Sequence, residues 1–145
     1  MNKLITGAVA AMALTPGAAL AEGKTHHLAI HVDQSDAKVM NMALNNAANV
    51  AAYYAEQGDE VVIEMVAYGP GLLMYVDGKS PVADRISAMS LELDNISFSA
   101  CANTHEAMKK KQGGDVPLME EAKLVPSGVV RLIELQEEGY AYVRP

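Results

Sequence analysis

Short apolar runs take turns with helical patterns along this chain, and that alternation leaves few folds open. "HLAIHV" (27–32), "EVVIEMVAY" (60–68) and "ISFSA" (96–100) read as strands; "AKLV" (122–125) and "YAYV" (140–143) are weaker strand patterns. A helix over Asp36–Gln57 separates the first two. Its apolar stripe is Val39, Ala43, Ala47, Val50 and Tyr54, with Ser35 as N-cap and Gly58 as stop. A second helix runs from Pro81 to Leu93, and a third from Asn103 to the Gly113-Gly114 pair. The fourth follows Pro126-Ser127-Gly128, carries Val129, Val130, Ile133 and Leu135, and stops at Gly139. Strands alternating with helices imply an α/β fold with a mainly parallel sheet covered on both faces.

The N-terminus reads differently. "MNKLITGAVAAMALTPGAALAEG" pairs Lys3 with a short apolar run and closes on Ala19-Leu20-Ala21. This is a secretory signal peptide over residues 1–21, cleaved after Ala21. The run is broken by Thr15-Pro16-Gly17, short of the roughly 20 apolar residues a spanning helix needs. The expected location is the periplasm, and residues 22–145 form one domain. The formal net charge is −7, and loss of Lys3 makes it more negative. An acidic chain of this kind is not expected to bind nucleic acid or an anionic membrane surface. Hydrophobic residues make up 50% of the sequence, and "GLLMYV" (71–76) has little polar relief. A small domain with that composition is expected to bury part of it between subunits.

In open parallel sheets, ligands bind beyond the carboxyl ends of the strands. Asp33-Gln34-Ser35, Tyr68-Gly69-Pro70-Gly71, Cys101-Ala102-Asn103-Thr104 and Pro126-Ser127-Gly128 should meet there. One of these segments holds Cys101, the single cysteine. A helix begins just after it, capped by Asn103 or Thr104, and Asn103 with Glu106 resembles a capping box. Partial positive charge and free N–H groups at a helix start favour thiolate over thiol. His105 in the first turn would add a proton acceptor or a positive charge. Gly69 and Gly71 would form a backbone nest for a sulfur anion or oxyanion. The bland alternatives are an inert thiol packed with Ser97 and Ser99, and an ordinary turn at Gly69–Gly71. Ser127 reads as an N-cap beside the site.

Other chemistry is weakly signalled. His27 and His31 share a strand face but stand about 13 Å apart, too far to hold one metal ion. His26-His27 could be a surface pair, and reads more simply as a solvated strand start. No dinucleotide or phosphate-loop pattern is present, so neither cofactor nor metal is expected.

The segments "VAYGPGLLMY" (66–75), "ISFSACANT" (96–104) and "LVPSGVVRLIELQEEGYAYVRP" (124–145) together resemble the DsrE/DsrF-like family, which includes YchN-type proteins and sulfur-relay subunits. The resemblance covers nearly all of residues 22–145. It implies a five-stranded α/β/α sandwich assembled into dimers, trimers or hexamers. It also implies a cysteine at the end of the third strand that accepts sulfur as a persulfide; Cys101 matches it, with Asn103 and Thr104 alongside. The expected function is a periplasmic thiol protein that carries or transfers sulfane sulfur, with a sulfur-donor or acceptor protein as partner. The alternative is a non-catalytic oligomer that binds a small ligand or senses redox state.

Overall fold

The computed structural model describes residues 23–145, so the expected signal peptide over residues 1–21 lies outside the described residues. The strands are β1 (Thr25–Val32), β2 (Glu60–Ala67), β3 (Ile96–Cys101), β4 (Ala122–Val125) and β5 (Ala141–Val143). The helices are α1 (Ala37–Glu56), α2 (Ala83–Glu92), α3 (Ala102–Gln112) and α4 (Gly128–Glu137). A 3-10 helix, Gly69–Tyr75, follows β2. The five strands form one sheet in the order β4-β3-β2-β1-β5, and every pairing is parallel.

Chain direction explains the layers. From β1 to β4 each step moves one place in the same direction, so right-handed crossovers put α1, α2 and α3 on one face. The step from β4 to β5 runs back across the sheet, which puts α4 on the other face. The result is an α/β sandwich with three helices against one.

The two sheet faces differ in chemistry because their covers differ. Under the three helices, Leu28, Ile30, Val32, Ile63, Met65, Phe98 and Ala100 pack against Met40, Leu44, Ile86 and Met89. Under α4 lie Ala29 and Val66, packed on Leu132 and Leu135, and beside them the buried polar groups His31, Glu64 and Ser99. A single ten-residue helix cannot dry that whole face.

Several local expectations need correction. Asp36, not Ser35, caps α1, its Oδ1 accepting from the Lys38 N–H at 2.8 Å. The buried stripe of α1 is Met40, Ala43, Leu44 and Ala47, rotated from the expected one. Gly58 does stop that helix, at φ +75°. On α4 the buried residues are Leu132 and Leu135, while Val129, Val130 and Ile133 are exposed. "GLLMYV" is not an interface: Leu72, Met74, Tyr75 and Val76 are all buried within the chain. The Tyr75 hydroxyl donates to the Met65 carbonyl at 2.7 Å, which satisfies its polar end inside the core.

Candidate active site at the carboxyl edge

β3 ends at Cys101 and α3 starts at the next residue. The cap of α3 is therefore neither Asn103 nor Thr104. It is Cys101 itself, with Sγ accepting from the Thr104 N–H at 3.5 Å. Cys101 is 4% exposed. Burial pushes it up, but the Thr104 hydroxyl and the backbone N–H groups of Gly128, Thr104 and Asn103 outweigh that and hold it below the ordinary thiol range. Gly128 opens α4 and Asn103 and Thr104 lie in the first turn of α3, so two helix N-termini converge on one sulfur. A thiol buried among apolar side chains would shift the other way.

Gly128 fits because it lacks a side chain. A Cβ there would lie 2.9 Å from two atoms of Tyr68 and 3.2 Å from the Cβ of Cys101. Tyr68 and the start of α4 thus pack together beside Cys101. Ser127 occupies the N-cap position of α4, but its side chain makes no capping bond. It instead lines a groove of about 520 Å³ between α4 and the β3–β4 edge.

The Gly69–Gly71 nest does not form. The Gly69 N–H donates to Thr104 Oγ1 at 2.9 Å, the Gly71 N–H donates to the Tyr68 carbonyl at 3.1 Å, and Pro70 has no N–H. Gly69, at φ +54°, reaches the sulfur only through the Thr104 hydroxyl, which it polarises. Gly71 is needed for packing: a Cβ there would sit 2.2 Å from the Val32 carbonyl oxygen. His105 also leaves the site. It is buried, and its Nε2 bonds the Val116 carbonyl oxygen at 2.6 Å, with no hydrogen bond to Cys101.

Sequence reading missed the ion pair on the floor of the groove. Arg131 reaches the buried Glu64 with Nε and Nη2, each 2.8 Å from a carboxylate oxygen. Ser99 donates to the same carboxylate at 2.6 Å. Burial pushes the Glu64 carboxyl up, yet Arg131 and Ser99 hold it below the usual carboxylate range. The available signal was Glu64 itself, a charge in the middle of "EVVIEMVAY". At the same carboxyl edge, His31 bonds the Tyr142 hydroxyl at 2.7 Å through Nδ1 and packs its ring on Tyr68. Among the described residues, no group of His, Cys, Asp and Glu is arranged to hold a metal ion.

No family model and no curated protein matches the chain. Among solved structures it is similar to that of MTH1491, a protein of unknown function from Methanobacterium thermoautotrophicum. The two are 30% identical, with a TM-score of 0.70, over 83% of this chain and 99% of the archaeal one. The chain belongs to the same family as that archaeal protein. The likeness carries the α/β fold.

Proposed function

We propose that this is a periplasmic thiol protein that carries sulfane sulfur as a persulfide on Cys101 and works as a homo-oligomer. One observation carries the reading: N–H donors from two helix starts and a threonine hydroxyl all favour the thiolate of the single cysteine. The DsrE/DsrF-like resemblance of "ISFSACANT" points to the same residue, and the periplasmic location rests on the signal peptide at residues 1–21.

The step needs no external oxidant. The Cys101 thiolate attacks the sulfane sulfur of a donor such as thiosulfate. The new S–S bond forms as the bond to the sulfonate group breaks, and sulfite leaves with the bonding pair. The persulfide anion stays on Cys101, where the donors that favoured thiolate also favour its charge. The burial of Cys101 keeps bulk water from the sulfur between loading and transfer.

Intact mass after exposure to thiosulfate or polysulfide tests this. The expected result is one added sulfur atom, removed by a reducing thiol and absent in Cys101→Ala. Protein that stays at its original mass under every donor overturns the reading. A disulfide-linked dimer formed in place of the persulfide would favour redox sensing instead.

A further inference from the structure

A cleft of about 660 Å³ opens at the amino edge of the sheet, opposite the edge that holds Cys101. It lies where the start of β1 meets the last turns of α1 and the loop before β5. Stacked and crossed rings shape its wall. His26 lies on Tyr54 with ring centroids 3.7 Å apart and planes 13° apart, and Asp59 fixes the His26 ring through a 2.8 Å contact to Nε2. Tyr53 stands across Tyr54 at 73°, centroids 5.4 Å apart, so the rings form a corner. Tyr53 is 59% exposed and leaves a large aromatic surface facing water.

The backbone adds donors and acceptors. β5 pairs only with Leu28–Ile30, so among the described residues no strand lies beside Thr25–His27 on that side. The Lys24 and Val32 carbonyls accept from the Glu60 and Tyr68 N–H groups, on the β2 side. Strand alternation therefore turns the main-chain groups of Thr25 and the His27 N–H the other way, toward the cleft, while the His27 carbonyl is taken up by the Ala141 N–H in the pairing with β5. Asn49 contributes a side-chain amide, and among the described residues no lysine, arginine or carboxylate lines the cleft.

We propose that this cleft binds a neutral, planar heteroaromatic ring with a lactam on its rim. The ring stacks on Tyr53 and fits the corner against Tyr54. The lactam N–H donates to the Thr25 carbonyl and the lactam C=O accepts from the His27 N–H, as a neighbouring strand would, and Asn49 meets a second polar atom. An anion would find no cation there. An extended peptide would find an edge too short before β5 closes it.

Lumichrome, a fluorescent neutral tricycle with lactam N–H groups, is the probe, titrated against the purified protein and followed by anisotropy. Saturable binding is expected. Methylating the lactam nitrogens keeps the ring and removes the donors, so that derivative should bind about tenfold more weakly. Tyr53→Ala, at an exposed position that packing does not need, should also weaken lumichrome about tenfold. Cys101→Ala should leave binding unchanged, because the thiol is at the other edge. Absence of saturable binding, equal binding of the methylated ring, an unaltered Tyr53→Ala titration or a dependence on Cys101 would each overturn the proposal.

Discussion

At the residue scale, the chemistry of Cys101 is set by what touches its sulfur. The Thr104 hydroxyl is foremost among the groups that hold the thiol down. Thr104→Val keeps the shape and removes the hydroxyl, so the pH midpoint for alkylation of Cys101 should move up. In the parent protein, that midpoint should lie below the free-thiol value of about 8.5. The sign follows from the shift: a lowered thiol value means more thiolate, hence faster alkylation, on the acid side of a free cysteine. His105→Ala should leave the midpoint in place but lower the melting temperature, because the Val116 carbonyl loses its partner. An upward shift in His105→Ala would return the imidazole to the site. The two glycines respond differently to an added side chain. Gly71→Val drives carbon into the Val32 backbone, and at a cost above about 3 kcal/mol should yield no folded protein. Gly128→Ala presses on the Cβ atoms of Tyr68 and Cys101, which move only with their backbone, so it should cost about 1–3 kcal/mol and leave a less acidic thiol. Circular dichroism and the alkylation profile check both.

At the element scale, α4 is tied to the sheet at two kinds of contact. Leu132 and Leu135 pack on Ala29 and Val66, and Arg131 binds Glu64 on the central strand β2. Arg131→Met should destabilise by about 3–5 kcal/mol, because it strands a buried carboxylate. Adding Glu64→Leu to that variant should recover most of the loss, which a urea titration would read. If the double variant is no more stable than the single, the carboxylate was not the source of the penalty. The pair also predicts acid sensitivity. The Glu64 carboxyl is held low in the folded state, so its contribution is full above the unfolded carboxylate value of about 4.3. It is lost as the pH falls through the lowered value, and Glu64→Gln should flatten that part of the pH–stability curve.

At the scale of the whole molecule, one group of exposed apolar side chains lies around α4, apart from Met42, Tyr53 and Leu91 elsewhere on the surface. Val129, Val130 and Ile133 are about half exposed, at 52%, 48% and 52%, and Leu124 on the edge strand β4 is 54% exposed. Covering these residues is the physical case for a homo-oligomer. Light scattering at micromolar concentration should give a mass above the monomer. The double variant Val130→Glu, Ile133→Glu should give a monomer with an unchanged circular dichroism spectrum, since neither side chain is in the core. A parent protein that is monomeric at that concentration would remove assembly from the proposed function.

Periodicity along the chain determined the element order, the parallel sheet and the position of Cys101 at a strand end beside a helix start. These follow from local rules: strands need apolar runs, helices need a stripe, and glycine ends a helix, as Gly58, Gly113 and Gly139 do with positive φ. The sequence also placed Asn103, Thr104 and Ser127 at the carboxyl edge. Tertiary structure alone decided which atoms meet the sulfur. The Gly128 N–H is distant in sequence and close in space, and nothing local marks it as a thiolate donor. The same holds for Glu64 and Arg131, which are 67 residues apart. His105 looked catalytic because it lies four residues from Cys101, but its packing turns the ring to Val116. "GLLMYV" looked like an interface because it has little polar relief in a small, half-hydrophobic chain. A 3-10 turn buries most of it within the chain, and exposed apolar side chains fall instead on the outer side of α4.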